Sequence, residues 1–392
     1  MQFLIVVLLL KILGFFIIRT VKPIARVSKK DRIDPPIDII VPMYNEEKVI
    51  LKTVYNLLNI TYSNFKIIVI DDGSTDNSLA LVKEHFAGND SVHIINTINR
   101  GKAQALNVAM AASTSEIVFC IDADTLVLPN IVDVILPHFD DQLVVAVAGT
   151  IKVGNPGNLI TKMQCLEYMT TQNFERKVFS LINGIMVVPG AIGAFKRSVI
   201  SNLGGYTSDT LTEDTEITVK IICNNYLIKN ASDAVGFTEA PASSRMFLKQ
   251  RIRWKVGTMQ VLVKYMKDAF FHKNKAISFL VIPYTWIFGV FLPFISPIAD
   301  YYVTVALLVN KSYDILIYYL VFVLIDAATC FIILIENGES QNFFQCILLR
   351  FLLRQLTFVS YLMIFFRFFN GNLNEWGKVI RYGSVSLNAN KK

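Results

Sequence analysis

Four clusters of residues carry groups able to do chemistry. The first is a pair of adjacent acids, Asp71 and Asp72, that closes the apolar run Val69-Ile70 and leads into Gly73-Ser74-Thr75-Asp76. Carboxylates at the end of a buried strand point into the ligand crevice of an open α/β sheet, and a glycine permits a tight exit turn. Ser74 or Asp76 would also serve as a helix cap. A cap accounts for one residue of the set but not for two adjacent acids. The second is Asp122-Ala123-Asp124, after the apolar stretch Ile117–Ile121. Alternate residues of an extended segment share a face, so both carboxylates can converge on one hard cation and the oxygens of a diphosphate. Acidic loops are common, and this pair alone is a weak signal.

The third cluster, Thr212-Glu213-Asp214, opens the helix-like stretch Thr215–Ile222. A carboxylate here can accept the proton of an attacking hydroxyl, and acids at a helix start also favour the macrodipole. The fourth is Gln250-Arg251-Ile252-Arg253-Trp254, inside the basic amphipathic stretch Arg245–Phe271. Arg253 can neutralise a leaving diphosphate, and Trp254 offers a flat face to a sugar ring. The same stretch also suits a helix lying on anionic lipid.

These clusters need a scaffold. Ile37–Pro42, Lys66–Ile70, His93–Asn96, Glu116–Ile121 and Leu143–Val147 read as short buried strands rich in Val and Ile. Helix-like stretches Glu46–Asn59, Ser78–Phe86 and Gly101–Ala112 lie between the early ones. Such alternation predicts a largely parallel sheet with helices on both faces, and right-handed crossovers gather the loops after successive strands on one edge. Asn158–Ile182 and Arg245–Phe271 read as interface helices joining this domain to a bilayer.

The remainder is apolar. Of 392 residues 53% are hydrophobic and the mean hydropathy is +0.46, high values unless part of the chain lies in lipid. Phe3–Ile18 reads as an uncleaved span, and the basic run Arg19–Arg32 after it predicts a cytoplasmic side. Ile315–Ile335 and Ile347–Phe369 are long enough to cross. Ile277–Val309 is longer, and a hairpin near Pro293 and Pro297 gives five crossings with the C-terminus inside. Asp300 and Asp326 must then face a channel or other protein. The net charge of +7 fits lipid head groups or phosphates; no nucleic-acid motif accompanies it. Five cysteines without a C-x-x-C pair, and four scattered histidines, indicate neither a disulfide framework nor a zinc site.

The four clusters occur in one order with Val41-Pro42-Met43-Tyr44-Asn45-Glu46 ahead of them and Asn99-Arg100-Gly101-Lys102 between. In this the chain resembles the processive family 2 glycosyltransferases, the group of cellulose, chitin, hyaluronan and poly-N-acetylglucosamine synthases, over residues 38 to 260. The resemblance implies a GT-A-type, Rossmann-like mixed sheet with helices on both faces, joined to a transmembrane α-helical bundle. It implies an N-terminal span and linker at 1–33, a cytoplasmic transferase domain at 34–272, membrane helices forming a glycan channel at 273–370 and a cytoplasmic tail at 371–392.

The resemblance also implies roles. Pro42, Tyr44, Glu46, Asp72, Lys102, Asp122, Gln250 and Arg253 would hold a UDP-sugar. Asp122 and Asp124 would bind Mg2+ or Mn2+. Asp214, with Glu213 beside it, would be the catalytic base. Gly190, Ala191 and Trp254 would meet the acceptor, a growing polysaccharide. Trp376-Gly377-Lys378 with Arg381 resembles an element placed over the active site. The implied activity is inverting, β-linking, processive polymerisation at the plasma membrane. The short layout favours UDP-N-acetylglucosamine over UDP-glucose and leaves room for a small accessory membrane subunit. The alternative is a single transfer to a lipid carrier.

Overall fold

A computed structural model describes residues 34–309, 313–370 and 381–387. The expected span at 3–18, its basic flank and the tryptophan of the C-terminal element lie outside them. The first half of the sheet is the alternation read from the sequence: β1 (Ile37–Met43), α1 (Ile50–Leu58), β2 (Phe65–Asp71), α2 (Ser78–Phe86), β3 (Val92–Asn96), α3 (Lys102–Ala112) and β4 (Ile117–Cys120). All seven residues of β1 are buried, as a central parallel strand covered on both faces requires. β3, β2, β1 and β4 are mutually parallel, so the loops after β1, β2 and β4 meet on one edge.

The second half departs from the expected pattern. The strand read at Leu143–Val147 runs on as β6 (Val144–Val153). Three further strands join it: β5 (Leu126–Val127), β7 (Gly193–Lys196) and β8 (Leu227–Thr238). The order is β3-β2-β1-β4-β7-β6-β8-β5, with β7 antiparallel to both neighbours and β5 antiparallel to β8. The sheet is therefore mixed, and parallel only in its first four strands and at β6–β8.

The interface stretch at 158–182 forms α4 (Leu159–Glu167) and α5 (Phe174–Ser180), joined by a π-helical turn at Tyr168–Asn173. Asn158 caps α4 in a reciprocal box with Thr161. The stretch is not wholly a surface element, because Arg176 points inward, is 5% exposed and donates to the Gly149 carbonyl at 2.9 Å. Burial pushes its pKa down to about 10. After α6 (Glu213–Cys223) comes α7 (Ser244–Lys264), the long basic helix.

The remaining helices are apolar. Residues 277–308 form one helical run, α8, with π-helical turns at Ile277–Val281 and Ile287–Phe291. The expected hairpin at Pro293 and Pro297 is absent. Pro293 sits where a π turn hands over to α-helix, and Pro297 is carried inside that helix. The π turn at 287–291 leaves the Gly289 carbonyl to outside donors, Lys255 at 3.0 Å and the Tyr361 hydroxyl. α9 (Tyr313–Glu336) and α10 (Phe343–Phe369) follow. Among the described residues three helices are long and apolar enough to cross a membrane, one fewer than the hairpin would need. The chain is a membrane protein.

The two acids expected to face a channel or other protein each have a cationic partner. Asp326 pairs with Arg350 at 2.8 Å, and Asp300 pairs with Arg354 at 3.2 Å while accepting from Tyr319 and Gln355. Arg350 also reaches Thr170 in the π turn of the interface helices, which ties the bundle to the sheet domain. Cys346 and Leu349 of α10 pack with Phe247 of α7, and Tyr361 and Ile364 with Ile252 and Val256.

Candidate active site

The loops after β1 and β2 are stitched together first. The side-chain oxygen of Asn45, whose φ is +52°, accepts the Thr75 and Asp76 amides, and the Ser74 and Ser78 hydroxyls accept the Asn45 and Glu46 amides. The adjacent acids turn out to build this floor. Asp71 accepts the Ser74 amide, and Asp72 accepts the Arg100 and Gly101 amides, each at 2.9 Å. Gly73 is required here: its φ is +70° and a Cβ would lie 2.7 Å from the Asn99 nitrogen. Asp72 thus fixes the loop that delivers Lys102 as the first residue of α3.

Lys102 is the hub. Its Nζ lies 2.6 Å from Asp122 Oδ1 and 3.0 Å from Glu213 Oε1, joining the second cluster to the third. Burial alone would lower the Lys102 pKa, but Asp122 and Glu213 together hold it well above the ordinary lysine value. The acids respond in opposite ways. Burial acts against the ionised form of Asp122 and Glu213, yet Lys102 outweighs it, with Arg381 and Arg253 helping at Asp122 and Arg253 at Glu213, and both are held below the usual range. Asp214 is raised, first by burial and then by the charge of Glu213. Its carboxylate accepts the Thr215 amide at 2.7 Å and, at a long 3.4 Å, the Gly190 amide. A Cβ on Gly190 would lie 2.8 Å from Lys102 Nζ, so a larger residue there would push the ammonium away from its carboxylates. Ala191 beside it is buried.

Asp124 is 5% exposed and raised, mainly by burial. Its Oδ1 accepts the hydroxyls of Thr125 and Thr238 at 3.3 and 3.4 Å. Its Oδ2 is buried and paired with the Arg381 guanidinium at 2.7 Å. With Oδ1 taken by hydroxyls, Oδ2 and the carboxylate of Asp122 two residues away are the hard oxygens that a divalent cation would use, in place of Arg381. Gln250 is buried, and its Oε1 has no hydrogen-bond partner among the described residues. The charge of Arg253 acts on Asp122, Glu213 and Asp214. Trp254 is half-buried against Tyr168, and the Arg251 guanidinium covers its ring at 4.6 Å. Arg251 itself is locked to Glu167 of α4 at 2.6 Å. Pro42 lies buried at the end of β1, with Tyr44 and Glu46 just beyond it.

Residues 38–204 match the family described as Glycosyl transferase family 2. The chain carries a family 2 glycosyltransferase domain. Two relatives are named poly-β-1,6-N-acetyl-D-glucosamine synthase. That of Staphylococcus epidermidis is 28% identical over 277 residues, 68% of this chain and 67% of the relative. That of Staphylococcus aureus strain COL is 30% identical over 229 residues, 58% of this chain and only 56% of the relative. A solved mannosyltransferase from Pyrobaculum calidifontis, in complex with GDP-Man and Mn2+, superposes with a TM-score of 0.66 over 92% of this chain and 97% of that one, at 21% identity. That likeness establishes the fold, a GT-A-type transferase domain joined to apolar helices.

Within the transferase domain, the sequence motifs alone did not reveal what holds the Thr212-Glu213-Asp214 helix in register. α7 does so at three levels. Gln260 accepts the Leu211 amide at 3.0 Å, Lys264 and the adjoining Tyr265, just past the helix end, close on the fully buried Glu216, and Gly257 admits Thr212. A Cβ on Gly257 would lie 2.5 Å from Thr212 Oγ1 and 2.6 Å from its Cγ2. Thr212 is β-branched and stiff, so the strain would pass to Glu213 and Asp214. Gly257→Ala is therefore expected to lower turnover about tenfold, with the Gly257→Ala/Thr212→Ala pair recovering most of it. The check is a double-mutant cycle on initial rates; equal rates in the single and double variants would place the defect elsewhere.

Proposed function

We propose that this protein polymerises a UDP-sugar into a β-linked polysaccharide by direct, inverting displacement on the cytoplasmic face of the membrane. The observation that carries this reading is the convergence of Asp122, Glu213, Asp214 and Arg253 around Lys102 at the carboxyl edge of the sheet. The acceptor hydroxyl attacks the anomeric carbon as the bond to the diphosphate breaks, and its proton passes to Asp214. Arg253 faces the charge that develops on the leaving diphosphate. Asp122 and Asp124 would hold Mg2+ or Mn2+, which supplies Lewis-acid stabilisation of that diphosphate. Gly190 and Ala191 let the acceptor approach the backbone closely. No covalent nucleophile is needed.

UDP-N-acetylglucosamine is the favoured donor, supported by the synthases that the chain resembles across much of its length. Processive extension fits a transferase domain whose Gln250–Trp254 helix packs directly on the apolar bundle. The test is product analysis with purified protein in detergent, offered UDP-N-acetylglucosamine, UDP-glucose, UDP-glucuronate and GDP-mannose. A ladder or large polymer from the first supports the proposal. A single addition to a lipid carrier would replace processivity with the simpler transfer, and turnover of GDP-mannose alone would overturn the donor.

Trp254→Ala is expected to shorten products several-fold more than it weakens donor binding, because a ring face suits a glycan better than a diphosphate. Parallel titration of donor affinity checks this, and equal loss of both would assign Trp254 to packing on Tyr168 and Arg251.

A further inference from the structure

Residues 381–387 belong to neither the sheet nor the helices, yet they are pinned to the sheet edge. Glu239, one residue past β8 and 3% exposed, does the pinning. Its carboxylate accepts the Tyr382 amide at 2.9 Å, the Gly383 amide at 3.0 Å and the Ser384 hydroxyl at 2.9 Å. Its carbonyl accepts from the Arg381 guanidinium at 2.6 Å. Val385 is buried on Leu126 and Phe237, and its carbonyl accepts from Lys52. Gly154 leaves room for it, since a Cβ there would lie 2.4 Å from Val385 Cγ1. Gly383 takes φ +71° beside the Lys48 carbonyl. The product of all these contacts is one placement: Arg381 Nη2 lies 2.7 Å from Asp124 Oδ2.

We propose that Glu239 is a positioning residue that delivers Arg381 to Asp124 as an internal counter-cation, which a divalent ion must displace to bind there. This rests on the reading of Asp122 and Asp124 as the cation site. The argument is one of space and charge. Asp124 Oδ1 is engaged by two threonine hydroxyls, so Oδ2 is the oxygen turned toward a ligand. A divalent ion would sit about 2.1 Å from that oxygen. A guanidinium nitrogen 2.7 Å from the same atom stands in the same space and carries the same sign. The two cations therefore exclude each other. By linkage, whatever loosens the strap strengthens ion binding, and ion binding loosens the strap by the same factor.

Mn2+ binding to the full-length protein in detergent, without nucleotide, tests this through the electron paramagnetic resonance signal of free Mn2+. Arg381→Gln and Glu239→Gln are each expected to raise Mn2+ affinity about tenfold, a usual coupling between linked sites. A structural lesion would lower it, so the sign separates the two. In the unmodified protein, saturating Mn2+ should speed hydrogen exchange at the Tyr382 and Gly383 amides, which needs no variant to fold. Asp124→Asn should abolish the binding. If it does while Arg381→Gln binds Mn2+ no more tightly than wild type, the competition is refuted and the cation site stands. If Asp124→Asn leaves Mn2+ binding intact, the cation-site reading fails and this inference with it.

Discussion

Asp214→Asn should lower turnover at saturating donor by at least about 100-fold, the usual scale for loss of a general base, with donor affinity close to wild type. Both acids of the Thr212-Glu213-Asp214 run are candidates by sequence, and their surroundings separate them. Glu213 is tied to Lys102 at 3.0 Å, which holds it ionised and poorly basic. Asp214 has no lysine within bonding distance among the described contacts and is raised by burial and by Glu213. It is the stronger base. It is also held by backbone amides rather than by cations, so the asparagine can keep the shorter bond, from the Thr215 amide, through its carbonyl oxygen and gives up only the long one from Gly190. The pH profile follows with a definite sign. The base works only when deprotonated, so turnover should rise with pH through the Asp214 pKa. That acid limb should lie above the ordinary aspartate value of about 3.9 and vanish in the variant. A collapse of donor affinity with unchanged saturated turnover would make Asp214 a binding residue.

The first half of the fold was legible because buried parallel strands announce themselves. Ile37–Met43 and Phe65–Asp71 are apolar runs bounded by turn residues, and the helices between them have their own apolar spacing. The second half obeys no simple period. β8 reads Leu-Ile-Lys-Asn-Ala-Ser-Asp-Ala-Val-Gly-Phe-Thr, and irregularities in its pairing with β6 break the alternation that would mark a strand. β7 is four residues long and includes Gly193 and Ala194, a composition with little strand preference.

The site shows the same division. Acids at strand ends stood out as a type, but type did not separate Asp72, which organises a loop, from Asp122, which meets Lys102. The hub itself was visible only as one basic residue in Asn99-Arg100-Gly101-Lys102. Glu239 carried no local signal at all. Its role depends on a segment some 140 residues away that the fold alone brings beside it. The hairpin expectation failed for a physical reason as well. Prolines at 293 and 297 forfeit amide donors, but adjacent π turns and outside donors such as Lys255 and Tyr361 absorb the change, so the helix continues.

Asp124→Asn is expected to cut transfer about 1000-fold, the upper end for removing one preorganised electrostatic group, and excess chelator should do the same to the wild-type protein. Among the described residues no cluster of three or more His, Cys, Asp or Glu side chains could hold a metal ion by itself. Asp122 and Asp124 therefore offer at most part of a coordination shell, and Asp122 Oδ1 is already shared with Lys102 at 2.6 Å. A hard cation bound by two carboxylates completes its shell with water and substrate phosphate. The ion should consequently bind weakly alone and much more tightly with a nucleoside diphosphate present. Mg2+ or Mn2+ added back after chelation should restore activity in proportion to its occupancy with donor. The asparagine keeps the shape of Asp124 and can still accept the Thr125 and Thr238 hydroxyls through its carbonyl, but its amide group turns toward Arg381 and unpairs it, so activity and fold must be followed together. Thermal unfolding beside the activity assay distinguishes the two effects. Full turnover by the wild-type protein in excess chelator would show that transfer runs on Lys102, Arg253 and Arg381 without a metal ion.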